Sequence, residues 1–108
     1  MKMIRSIVAQ IAKQFDPDEI ILFGSHAYGK PGAESDVDLL IVMDTPNGEM
    51  DVMVEIAKSL PILPFGVDVI VRSQKTLTQR KKLGDMFLRE VTEKGKVLYE
   101  RTDPRMGG

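Results

Sequence analysis

With 108 residues and a formal charge of −1, the chain has room for one domain and lacks the basic surplus of a general polyanion-binding protein, which argues against direct nucleic-acid binding. The absence of cysteine excludes disulfide frameworks and thiolate metal sites, and makes a reducing, cytoplasmic compartment the natural expectation. Its 43% hydrophobic and 29% charged residues are ordinary for a globular protein; charged sequence begins at Lys2, with no sign of a signal peptide, and every apolar run falls far short of the ~20 residues a membrane helix needs.

In chain order, Ile4, Ile7, Val8, Ile11 and Phe15 recur at helical spacing and predict a helix over 3–15, ended by Asp16-Pro17-Asp18. Ile20 to Phe23 is a short apolar run suited to a buried strand, and Gly24 stops it. A polar loop over 30–35 leads to a second strand, Val37 to Met43, closed by the turn residues Thr45-Pro46-Asn47-Gly48. A helix over 49–60 stops at Pro61, and Val67 to Val71 reads as a third strand, broken once by Asp68. Helical sequence follows through Leu77, Arg80-Lys81-Lys82, Met86, Phe87 and Val91 to Gly95. Val97-Leu98-Tyr99 suits a last strand at a sheet edge. Residues 1–101 are expected to form one domain, followed by a flexible tail over 102–108, where apolar content runs out. The alternation predicts an α/β or α+β sandwich, helices packed on a small sheet, with the first two strands antiparallel because their connection is too short for a crossover helix.

Asp36 and Asp38 lie two apart at the start of a strand, so their side chains share a face. Carboxylates held together repel unless a cation neutralises them, and Mg²⁺ takes such oxygen ligands together with substrate phosphates. The plainer alternative is one aspartate at the strand end and one facing water. Asp68 interrupts a run that otherwise wants burial, where an ionised carboxylate is costly unless paired, metal-bound or turned into a polar cleft. If its strand neighbours the second, three carboxylates converge, the arrangement that two-metal phosphoryl or nucleotidyl transfer requires. The alternative is a surface aspartate on an open face.

Gly24 allows a sharp turn and close backbone approach to a ligand, and Ser25 could cap a following short helix with its N–H groups aimed at an anion, or be an ordinary cap. Gly24 to Lys30 fits most of a P-loop, but Pro31 stands where the hydroxyl-bearing residue and the helix start should be, which rejects that reading. His26, Arg72 and the Arg80-Lys82 cluster are weaker candidates, the first as a phosphate contact, the second for a nucleotide and the third as a solvated helix face. Met50, Met53 and Met86 are expected to fill the core.

Gly24-Ser25, ten residues to Asp36, then Val37-Asp38, with Asp68 on a later strand, resembles the nucleotidyltransferase superfamily that includes DNA polymerase β, and most closely its minimal nucleotidyltransferase (MNT) domains. The resemblance runs from about Ile4 to Tyr99. It implies a small mixed sheet flanked by helices, with a nucleoside triphosphate, ATP, bound at its edge with Mg²⁺, two ions in all. Gly24 and Ser25 would hold the triphosphate, Asp36 and Asp38 would ligate metal, and Asp68 would be the third metal-binding and catalytic carboxylate, near the acceptor hydroxyl. With no segment left over to grip an acceptor, something else is expected to present it. Domains of this kind are frequently antitoxins paired with a helical HEPN toxin in a hetero-oligomer, with AMP transferred to the partner. The competing expectations are a binding module that neutralises its partner by contact alone, and a transferase acting on a small molecule.

Overall fold

The inward stripe of the first helix and the alternation of the strands fix the architecture of the computed structural model, which describes residues 2–29 and 36–101. Helix α1 (Lys2–Phe15) buries Ile4, Ile7, Val8 and Ile11, an i, i+3, i+4, i+7 set on one face. It closes with the Asp16 N–H donating to the Ala12 carbonyl (3.0 Å), and Asp16 then takes a left-handed φ of 45° ahead of Pro17. The chain continues as β1 (Glu19–Phe23), the four-residue α2 (Ser25–Tyr28), β2 (Val37–Val42), α3 (Glu49–Ser59), β3 (Val67–Arg72), α4 (Gln74–Lys82), α5 (Met86–Lys94) and β4 (Lys96–Glu100).

The strands form one sheet in the order β3-β2-β1-β4. β1 runs antiparallel to both β2 and β4, whereas β2 and β3, joined through α3, run parallel. The sheet is therefore mixed, as the short β1–β2 link and the longer helical crossover dictate.

Odd and even residues of the central strands part to opposite faces. Ile20 and Leu22 with Val37, Leu39 and Ile41 pack under α1 and against Ile56 of α3. Ile21 and Phe23 with Leu40 and Val42 pack under Leu77 of α4 and Leu88 and Val91 of α5. Each fully buried Leu or Ile here contributes roughly 1.5–3 kcal/mol, so both faces of β2 are strongly held. The two last helices are well begun: the Ser73 hydroxyl accepts from the Thr76 N–H (3.1 Å) and the Asp85 carboxylate from the Leu88 N–H (3.0 Å).

Two of the methionines depart from the core role expected of them. Met50 is 68% and Met86 75% exposed, because each falls off its helix's inward stripe, while Met53 packs against the core. The loop over 30–35, with Pro31, and the tail over 102–108 lie outside the described residues. No described helix is long and apolar enough to cross a membrane.

Candidate active site

The face of β2 that carries Leu40 and Val42 under α4 and α5 continues, two residues at a time, to Asp38 and then Asp36, just before the strand. The parallel register sets Asp38 opposite Asp68 on β3, and the antiparallel register sets it opposite Phe23 on β1. The strand pairing thus brings Asp68 to the Asp36 and Asp38 pair from which the sequence separates it. Asp38 is half-buried, and Asp36 and Asp68 are exposed.

Two glycines make room for these carboxylates. Gly24 follows Phe23 directly and adopts φ 76°, ψ −157°, a conformation open to glycine. A Cβ there would overlap the Asp38 Oδ2 atom, so Gly24 brings bare backbone against that carboxylate. Gly66, whose carbonyl accepts from the Val37 N–H (2.9 Å), holds the same relation to Asp36: a Cβ on it would lie 2.6 Å from Asp36 Oδ1. Gly66 is a site residue that the sequence does not single out, its one signal being its place immediately before the Asp68 strand.

The electrostatics are those of crowded negative charge. Partial burial pushes the Asp38 carboxyl above its ordinary value. The Asp68 charge, a hydrogen bond the two carboxyls can share only when one holds a proton, and the Asp36 charge push it further. His26 opposes them, as the weakest of these influences. His26, two residues beyond Gly24 in α2, is thus a neighbour of Asp38.

Other expectations resolve differently. Ser25 does not cap α2: Gly24 is the N-cap residue and no side chain caps the turn. The Gly24 carbonyl instead accepts from the Ala27 and Tyr28 N–H groups (3.0 and 3.1 Å). At four residues α2 is also too short to act as a helix dipole. Asp68 bears no burial cost, because β3 is an edge strand and the side chain is exposed. Its significance comes from its register with Asp38. Arg72 lies at the far end of β3, about 13 Å of strand from Asp68. There its guanidinium donates to the Val71 carbonyl (2.7 Å) and pairs with Glu49 (3.9 Å). In the basic cluster, Arg80 pairs with Asp85 (3.9 Å) and the Lys81 carbonyl accepts twice from Arg89 (3.1 and 2.9 Å). Lys81 and Lys82 line an open concavity of about 390 Å³ with Thr78, Arg89 and Glu93.

A glycine turn thus stands beside three carboxylates on a mixed sheet, and a family model described as "Nucleotidyltransferase domain" matches residues 1–98. The chain belongs to that family. It is 41% identical over 83 residues to a candidate protein adenylyltransferase of Methanocaldococcus jannaschii, covering 75% of this chain and 77% of that protein. Two solved structures share the fold of this nucleotidyltransferase domain. One is a candidate nucleotidyltransferase of Sulfolobus solfataricus (TM-score 0.64, 24% identity, 93% of this chain and 79% of that one). The other is the spectinomycin adenyltransferase of Enterococcus faecialis, solved with ATP and spectinomycin (TM-score 0.60, 14% identity). This chain is covered to 94% in that match and spans 56% of the larger enzyme.

Proposed function

We propose that this nucleotidyltransferase is an adenylyltransferase that moves AMP from ATP to a hydroxyl of a partner protein, with Asp36, Asp38 and Asp68 as its metal-binding and catalytic carboxylates. The observation that carries the reading is the registered Asp38–Asp68 pair, with Asp36 beside it and the bare backbone of Gly24 against it. Gly24 and Ser25 hold the triphosphate, since a side chain at position 24 would occupy the space beside Asp38.

The donor set suits Mg²⁺. Carboxylate oxygens are its preferred protein ligands, and the upward push on Asp38 comes first from burial and then from the Asp68 and Asp36 charges, a repulsion that a bound cation would relieve. Among the described residues no three acids or histidines form a ready-made metal cage. Mg²⁺ does not need one, since it is commonly held by one or two carboxylates and completed by substrate phosphates and water. Asp36 and Asp38 hold the metal and Asp68 completes the set on the acceptor side. The ions would supply charge neutralisation for the triphosphate and an acidified acceptor hydroxyl. The carboxylate of Asp68, exposed at the open margin, accepts the proton that the hydroxyl loses.

A protein acceptor is supported by the Methanocaldococcus jannaschii relative, a candidate protein adenylyltransferase. The MNT-like spacing supports the more specific assignment of an antitoxin that modifies a HEPN-type toxin in a hetero-oligomer. To test it, the domain is incubated with ATP, Mg²⁺ and the product of the neighbouring gene, and the partner is weighed by mass spectrometry. Addition of AMP, abolished in the Asp36→Asn/Asp38→Asn variant, is expected. No addition, or equal addition by the variant, contradicts the proposal.

A further inference from the structure

The two edges of the sheet are treated differently. At the β4 edge, the strand opens and closes on the charges Lys96 and Glu100, and its pairing with β1 is broken by a register shift between Ile20 and Ile21. Charges and irregularities of this kind blunt an edge against further pairing. The β3 edge has no such irregularity, and its two charges are Asp68 at the acidic end and Arg72, which pairs with Glu49, at the other. Val67 to Val71 carries no proline or lysine, its pairing with β2 runs unbroken from Val37↔Val67 to Val42↔Arg72, and no described strand pairs with its outer side.

The hydrogen bonds show which backbone groups that outer side presents. The Gly66 and Arg72 carbonyls both accept from the β2 side, from the Val37 N–H (2.9 Å) and the Met43 N–H (3.1 Å). Strand residues alternate in the direction of their backbone groups, so positions 66, 68, 70 and 72 bond to β2 and Val67, Val69 and Val71 face outward. The Val71 carbonyl is occupied by the Arg72 guanidinium (2.7 Å), which closes that end of the edge. The backbone groups of Val67 and Val69 remain, one on each side of Asp68.

Consider an extended segment added antiparallel to this edge. Its residues opposite Val67 and Val69 would exchange both hydrogen bonds with them. The residue opposite Asp68 would occupy a non-hydrogen-bonded pair, the closer kind, with Cβ atoms about 4.5–5.5 Å apart and side chains on one face. A serine, threonine or tyrosine at that place would set its hydroxyl beside the Asp68 carboxylate, on the face that also carries Asp38 and Asp36.

We infer that the open edge of β3 is the docking surface for the acceptor, an extended segment of the partner protein that adds as an antiparallel strand with its hydroxyl residue opposite Asp68. The inference rests on the adenylyl-transfer reading above. In the step itself, the acceptor oxygen forms a bond to the α-phosphorus of ATP and the bond from that phosphorus to the α,β-bridging oxygen breaks. Pyrophosphate leaves with the bond's electrons, and the hydroxyl proton passes to Asp68 and on to water. Main-chain pairing supplies affinity without demanding a particular sequence, and the register selects which residue is modified.

The test uses a pool of synthetic heptapeptides with random flanks and a central serine, threonine or tyrosine, in three forms: unmodified, N-methylated on both residues beside the centre, and N-methylated on the central residue. Each is incubated with the domain, Mg²⁺ and ATP labelled in the α-phosphate. Label is expected on the unmodified and centrally methylated pools, whose edge-facing N–H groups are intact, and at least tenfold less on the pool methylated beside the centre. Equal labelling of all three overturns the edge pairing. So does absence of label on every pool while the domain still binds Mg²⁺–ATP in a calorimetric titration. Failure to bind Mg²⁺–ATP removes instead the nucleotide reading on which the assignment rests. In the domain, Val69→Pro deletes an outward N–H without touching the β2 ladder, and is expected to keep Mg²⁺–ATP binding and lose transfer at least tenfold. If that variant does not fold, the peptide arms decide. If it turns a dimer into a monomer with transfer unchanged, the edge belongs to a second copy of the chain and the acceptor assignment is wrong.

Discussion

The two ends of the β2–β3 pair handle charge in opposite ways. At the Arg72 end, charge is matched: the guanidinium pairs with Glu49 (3.9 Å), whose other oxygen accepts from the Ser73 N–H (3.0 Å). Alongside, Arg101 reaches Asp16 (3.1 Å) and Asp18 (3.2 Å). At the Asp68 end three carboxylates face one another, with His26 as the weakest influence on Asp38. At the Arg72 end basic side chains pair with most of the nearby acids, whereas on the reading proposed above the unmatched acids of the other end await a cation and a ligand.

Substitutions should separate the two ends. The largest effect is expected from Asp38→Asn. With the metal-binding role proposed for Asp38, its loss would forfeit several kcal/mol of transition-state stabilisation, about a 10²–10⁴-fold fall in transfer rate measured with labelled ATP. The same change should not lower the melting temperature of the ligand-free domain. With its pKa raised, Asp38 contributes stability that is present below the unfolded value and lost as pH rises through the folded one, so the ionised acid works against the fold at neutral pH. A clear drop in melting temperature would make Asp38 a structural residue.

Gly24→Ala is expected to damage both properties. The positive φ costs a side chain about 1–3 kcal/mol and the new Cβ meets Asp38, so stability and Mg²⁺–ATP affinity should fall together. Thermal unfolding and calorimetry on the same sample check this. At the opposite end, Glu49→Ala should cost about 1–2 kcal/mol, several degrees in melting temperature for a domain this size, and leave the transfer rate unchanged. A change in rate would show that the two ends are coupled.

The smallest expected effect concerns Glu19, at the Val42 end of β1. Burial first, then the Glu100 and Asp18 charges, push its carboxyl upward against the pull of Lys81. Its contribution is therefore full below the unfolded carboxylate range and is lost as pH rises through the folded value. Glu19→Gln should flatten that part of the stability–pH curve and unfold at a slightly higher temperature than the parent at neutral pH. A lower temperature there would reverse the assigned sign.

The elements were largely legible in the sequence because the hydrophobic periods are strong: the α1 stripe and the continuous runs of β1 and β2 each admit one reading. The antiparallel β1–β2 pair followed from the length of its connection. The pairing of β2 with β3 could be stated only as a condition, since no local signal encodes which strands become neighbours, and the convergence of Asp68 on Asp38 waited on it. Two of the local reasons do not hold in the structure. The apolar run around Asp68 makes an ionised carboxylate there costly unless it is paired, metal-bound or in a polar cleft, with a surface aspartate as the alternative; the side chain is exposed on an edge strand, and apolar composition alone does not distinguish an edge from a centre. Ser25 was read as a cap, but the glycine before it takes the cap position through a conformation that sequence does not display. Gly66 went unnoticed because its significance lies in a contact with Asp36 across 30 residues of chain.

The decisive property of the acidic end is whether it binds a metal–nucleotide complex. In a calorimetric titration of Mg²⁺–ATP, the parent domain should bind with one saturable isotherm, and the Asp36→Asn/Asp38→Asn variant, folded to the same melting temperature or higher, should not. Undiminished binding by the variant, or no binding by the parent, would contradict the proposed function.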